Sequence, residues 1–219
     1  MGTTVYAAAP VVSKPDIPLK PALTLPDMVA LKGGCFQIVE EPIARQACVK
    51  DFSIGKYEVT QALWQAVMDE NPAHFLGEQR PVERVGWKDV NRFLEKLNAK
   101  TGKNYRLPTE DEWFFACQAG EKQDYCGSNT LETVAWYAQN AGKTTHPVGT
   151  KAANAWGLFD MSGNVMEWAS RCEDGDCSGR VLRGGSWRGV GLEAASVIRL
   201  SDLSNYRFDS IGFRLALDN

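Results

Sequence analysis

Hydrophobic positions fall at helical spacing in a few segments and at strand spacing in several others. Leu63, Trp64 and Val67 share one face of a predicted helix that Thr60 caps and that runs to about Met68. Val90, Phe93, Leu94 and Leu97 make the face of a second, from about Trp87 to Ala99, with Gly102 as its stop. Thr109 and Glu112 form a capping box for a short third helix, which Gly120 is expected to close. Met28 to Leu31, the Gly33-Gly34 pair and Cys35 to Val39 read as strand, tight turn, strand. Val49 to Val59 reads as another strand pair. The balance of short strands, a few helices and much loop predicts an irregular α+β fold.

Near the C-terminus two stereotyped pieces bracket a segment of different character. Gly184 and Gly185 supply a turn that admits positive φ, and Ser186-Trp187 and Ile211 to Leu217 read as strand or strand edge. Between them Arg188 to Ser210 shows neither helical nor strand period. A long loop of this kind is either functional or disordered. Ile198, Leu200, Leu203, Tyr206 and Phe208 are too apolar for a solvated tail, and their mixture with Asp202, Asp209 and Ser210 is that of a binding surface. The bland alternative is a structural loop whose apolar residues are core.

Composition narrows the partners. Lys and Arg number 24 against 27 Asp and Glu, for a net charge of −3, which favours neither nucleic acid nor an anionic membrane. No apolar run is long enough to span a bilayer. The six cysteines suggest local pairing, Cys35 with Cys48, Cys117 with Cys126 and Cys172 with Cys177, and hence an oxidising compartment. Zinc is the competing use, but no C-x-x-C pair occurs and His74 and His146 lie far from any cysteine. Residues 1–27 are rich in Pro and Ala and read as a linker or post-signal segment, leaving 28–219 as the domain.

Two further motifs are dense. Arg106 precedes the acidic start of the third helix and reads as a structural bridge between carboxylates. In Ala155 to Trp168, Gly157 and Gly163 break helix while aromatic residues pin turns to a core. Asn164 and Glu167 are candidate ligands for Ca²⁺; the alternative is that both hydrogen-bond the backbone. His146, in a turn before Pro147, reads as structural.

Arg106-Leu107-Pro108-Thr109-Glu110-Asp111-Glu112-Trp113, Gly157 to Trp168, and Arg183-Gly184-Gly185-Ser186-Trp187 with Ile211-Gly212-Phe213-Arg214 resemble, in order and spacing, the formylglycine-generating enzyme (sulfatase-modifying factor) family. The resemblance covers about Met28 to Leu217 and implies that family's C-type lectin-like fold. It also implies where catalysis would reside: two cysteines in the loop after the Gly-Gly-Ser-aromatic motif, which hold copper. The matching positions here are Gly189 and Ala194, and neither is a nucleophile, ligand or redox group. Related iron-dependent sulfoxide synthases need a histidine cluster, which two histidines cannot build. The resemblance therefore implies no enzyme.

A second branch of the same fold is closer in character, the variable proteins of diversity-generating retroelements, whose binding loop is rewritten by mutagenesis of adenines in asparagine codons. The resemblance assigns variation to Arg188, Gly189, Val190, Ile198, Leu200, Ser201, Asp202, Tyr206, Phe208, Asp209 and Ser210, all reachable from an AAC codon, and leaves Glu193 outside the scheme. Tyr206 and Phe208 would supply rigid contact area, Arg188, Asp202 and Asp209 charge, and Ser201 and Ser210 adaptable hydrogen bonds. Arg199 and Arg207 would tie the loop to carboxylates of the frame. This implies a display protein that binds an unknown protein or surface ligand, exported to the cell surface or periplasm and lipid-anchored in full-length form. The alternatives are an exported accessory or maturation factor, or a divergent oxidase.

Overall fold

The computed structural model describes residues 23–40, 43–173 and 176–219, with side chains throughout except at 39, 40, 43, 171–173 and 176–178. Most of the 1–27 linker, and the side chains of the expected Cys172–Cys177 bridge, lie outside what the structure describes. The chain runs β1 (Met28–Leu31), β2 (Gly34–Glu40), β3 (Ile43–Val49), β4 (Phe52–Gly55), α1 (Gln61–Met68), α2 (Trp87–Thr101), β5 (Tyr105–Arg106), α3 (Glu110–Gln118) and α4 (Leu131–Val134). It ends with β6 (Met166–Glu173), β7 (Asp176–Arg183), β8 (Leu200–Leu203), β9 (Ile211–Gly212) and β10 (Ala216–Asp218).

The predicted helices form, with capping as the sequence implies. The Thr60 hydroxyl accepts the Leu63 N–H, and Gly102 closes α2 at φ 68°. Thr109 and Glu112 make the reciprocal capping box of α3. That helix stops one residue earlier than expected: Ala119, at φ 48°, returns its N–H to the Phe115 carbonyl before Gly120 is reached.

Strand pairing departs from the expectation of local hairpins. β1 pairs with β4, which pairs with β10, which pairs with β5, all antiparallel. The first and last of these strands thus share one sheet. Among the described residues β2 pairs only with β3, where Cys35 stands opposite Cys48 and is disulfide-bonded to it. Gly33 lets the chain pass from one sheet to the other: a Cβ there would lie 2.3 Å from the Val49 carbonyl. Residues 49–59 are not a strand pair, because Val49 completes β3 while Val59 bonds to Phe213 and Val82 outside any strand.

The last sheet, in order β8-β7-β6-β9, carries the C-terminal loop. Ser186-Trp187 is a turn and not strand edge, since Gly184 and Gly185 at φ 94° and 70° lead the chain out of β7. Ile211 to Leu217 is divided between β9, parallel to β6, and β10 in the first sheet. The main core packs α1 and α2 against these strands, with the Trp64 and Phe93 rings stacked at 5.1 Å and Phe213 edge-on to both. Cys117–Cys126 ties α3 to the following loop within a second apolar cluster.

Candidate binding surface

The site is built from a buried polar base upward. Arg214, fully buried, donates from Nε to Glu167 Oε2 at 2.6 Å and from Nη2 to Glu167 Oε1 at 2.6 Å. Glu167 Oε2 also accepts the Trp113 indole N–H at 2.7 Å. Asn164 Oδ1 accepts the His146 backbone N–H, and its Nδ2 donates to Glu58 Oε2 at 2.6 Å. The oxygens assigned to Ca²⁺ are engaged in this geometry. Asn164 Oδ1 and both Glu167 oxygens accept N–H donors, and among the described residues no group of three or more His, Cys, Asp or Glu could hold a metal. Burial, then the nearby Asp160 and Glu167 charges, hold Glu58 well above the ordinary carboxylate range, and burial pushes Asp160 up to about 6.

The loop rests on this base through contacts with residues outside it. Arg183, at the end of β7, is buried and spans the loop's middle: Nη1 donates to the Val197 and Ile198 carbonyls at 3.2 and 3.1 Å, and Nη2 to Glu110 Oε1 at 2.5 Å. Arg199 Nε reaches the same Glu110 oxygen at 2.9 Å. Arg207 makes a bidentate pair with Asp89, at 2.6 and 2.8 Å. Trp187 at the loop's start donates its indole N–H to the Asp209 carbonyl near its end, at 2.8 Å. Backbone bonds complete the frame, from Trp87 to Ser204, from Arg84 to Phe208 and from Ser196 to Asp124.

The segment is not structureless. Gly191–Ala194 is a turn of 3-10 helix, and β8 adds to β7 with Leu200 opposite Leu182 and Leu203 opposite Gly179. Of the residues assigned to the surface, Arg188, Val190, Ser201, Tyr206 and Phe208 are exposed, and Ile198, Leu200, Asp202 and Asp209 are half-buried. Gly189 and Ser210, also in the assigned set, are buried. The Ser210 carbonyl accepts the Met166 N–H, and a Cβ on Gly189 would lie 2.5 Å from Glu193 Oε2.

Residues 13–219 match the Sulfatase-modifying factor enzyme 1-like domain. The chain belongs to this family. Its fold is the C-type lectin-like fold of the formylglycine-generating enzyme type, as the motifs imply. Treponema denticola variable protein 1, a solved structure, superposes with a TM-score of 0.82 at 31% identity, over 88% of this chain and 95% of that one. The chaperone protein LppX of Paenibacillus barcinonensis is 35% identical over 74% of this chain and 78% of its own. The inactive C-alpha-formylglycine-generating enzyme 2 of Bos taurus is 34% identical over 62% of this chain, which spans 50% of that relative's length.

Within this sulfatase-modifying factor domain the apolar exposure is concentrated on the loop. Of nine exposed large hydrophobic residues among those described, Val190, Leu192, Val197, Leu203, Tyr206 and Phe208 fall there, so the segment is a surface and not hidden core. Tyr206 and Phe208 meet edge to face at 5.3 Å. Leu192, 72% exposed, and Val197 were missed by the adenine-based assignment, although their apolar character in a loop is visible in sequence. Also missed was a strip outside the loop: Phe75 packs edge-on to Trp187 at 5.2 Å, and Glu83 beneath it accepts the His74 and Phe75 N–H groups. Burial, partly offset by those two bonds, raises Glu83 to about 7. At Asp89 burial is outweighed by the Arg207 and Gly86 hydrogen bonds, and its pKa is lowered.

Proposed function

We propose that this protein is a ligand-binding display protein whose segment from Arg188 to Ser210 is diversified by a retroelement. The observation that carries the reading is the division of labour within the segment. Its backbone is held by Arg183, Trp187 and backbone groups of the frame, and its Arg199 and Arg207 side chains by Glu110 and Asp89, while its outward side chains are mixed apolar, aromatic and polar. Side chains on such a platform can change without disturbing its path, and the platform is what a variable binder requires. The likeness to a Treponema denticola variable protein over nearly the whole chain supports it. The partner is a protein or other surface ligand, and the contacts are carried by the exposed and half-buried members of the assigned set.

The same reading treats the protein as no enzyme. Gly189 and Ala194 stand where the family's active-site cysteines are expected, the Glu193 carboxylate covers Gly189, and Ala194 is buried against Gly185. Export to the cell surface or periplasm fits the Cys35–Cys48 and Cys117–Cys126 disulfides, and a lipid anchor in the full-length protein fits export. A second reading, an exported accessory or maturation factor, is favoured by one observation, the similarity to a relative named as a chaperone. DNA flanking the gene separates the two. The display reading expects a reverse transcriptase gene and a repeat of the loop's coding sequence rich in asparagine codons; a neighbourhood with neither supports the accessory factor.

A further inference from the structure

Arg84 lies outside the loop, in the connection between α1 and α2. Its backbone is in the left-handed region at φ 61°, a conformation that costs a residue with a Cβ roughly 1 kcal/mol. The surroundings impose it: Glu83 and Val85 on either side are both fully buried, and Glu83 is fastened by the His74 and Phe75 N–H groups. The side chain between them is therefore turned out to solvent. Arg84 N–H donates to the Phe208 carbonyl at 3.0 Å. This bond is to the loop's backbone, so Arg84 keeps its place beside position 208 whatever side chain stands there.

Its guanidinium differs from those nearby. Arg188 is paired with Asp209, Arg199 with Glu110 and Arg207 with Asp89, whereas Arg84 forms no ion pair or hydrogen bond through its side chain among the described residues. Strained, exposed residues of this kind cluster at functional sites, and Arg is enriched among the residues that dominate interfaces. We propose that Arg84 is a fixed binding residue at the rim of the variable surface, receiving a carboxylate side chain of a polypeptide partner whose neighbouring apolar side chains lie on Tyr206 and Phe208. The proposal rests on the display reading and deepens it: the loop sets which apolar neighbours are accepted, and Arg84 supplies a constant demand for an acid. A planar guanidinium meets a carboxylate through parallel hydrogen bonds.

The test uses a displayed library of random twelve-residue peptides as the probe, selected on the whole protein, with affinities of the enriched peptides measured on variants. The expected result is enrichment of Asp or Glu next to aromatic or aliphatic residues. Affinity should fall roughly five- to tenfold in Arg84→Gln, be largely kept in Arg84→Lys, and be unchanged in Lys88→Gln, a charge control on α2. Thermal melts establish that each variant is folded. Enriched peptides without acids, equal affinity for Arg84→Gln, or no enriched peptide overturns the inference. Tyr206→Ser with Phe208→Ser distinguishes it from the underlying reading. If the loop pair abolishes binding and Arg84→Gln does not, Arg84 is dispensable and the loop surface stands; the reverse leaves Arg84 and removes the loop.

Discussion

The centre of the molecule and its C-terminal loop use charge in opposite ways. In the centre Arg214 and Glu167 are both fully buried, joined by two hydrogen bonds, and surrounded by Trp113, Asn164 and Glu58 in fixed orientations. On the loop Arg188 and Asp209 meet at 3.4 Å with the arginine more than half exposed. A buried pair leaves an uncompensated charge if one partner is lost, whereas an exposed pair is replaced by water at little cost. The centre is therefore intolerant of change and the loop surface tolerant of it. Between them Arg183, Arg199 and Glu110 transmit the order of one to the other.

The largest effect that would sharpen this contrast is at the centre. Arg214→Met should destabilise the protein by about 3–5 kcal/mol, read by chemical denaturation, because it strands the Glu167 carboxylate. Next is the junction: Glu110→Gln weakens the hold on both Arg183 and Arg199 and should cost about 2–3 kcal/mol. It should also raise amide exchange between Val197 and Leu203 before other segments respond. A milder loss there than at an exposed pair would break the comparison.

Acidity gives a third, intermediate effect. Glu83 and Asp160 have folded-state pKa values raised to about 7 and about 6. A raised carboxylate contributes stability that is complete below its unfolded value and lost as pH rises through the folded one. The unfolding midpoint should therefore fall as pH goes from about 4 to about 7. Below that window the lowered Asp89 acts in the opposite sense. Glu83→Gln, which mimics the protonated acid, should flatten the upper part of the window and stabilise the protein at pH 8 by roughly 1 kcal/mol. The smallest effects belong to the loop surface: Val190→Asn, Tyr206→Ser and Phe208→Ser should each shift stability by about 0.5 kcal/mol or less.

Local signals and distant ones were unequally legible in the sequence. Thr60, Gly102 and the Thr109–Glu112 box act within a few residues of themselves, and the helices they bound were readable from pattern alone. The pairing of β1 with β4 was not, because β4 is also claimed by β10 from the far end of the chain. β8 was hidden for a related reason: Leu200 to Leu203 is only alternately half-buried, and the edge of β7 supplies its order. The oxygens of Asn164 and Glu167 looked available for a cation because the donors that occupy Glu167, Trp113 and Arg214, lie 54 and 47 residues away. The loop's anchors were more readable, since Arg199 and Arg207 stood out as charges between positions assigned to variation. Arg84 carried no such mark, as its exposure follows from a backbone angle.

The central claim, a fixed platform under a changing surface, is tested most directly by sequencing this gene from many isolates of its source. The account predicts differences confined to the assigned positions between Arg188 and Ser210, drawn from codons reachable from AAC, with Arg84, Glu110, Arg183, Arg199, Arg207 and Trp187 unchanged. A loop that never varies, or variation spread evenly over frame and loop, would contradict it.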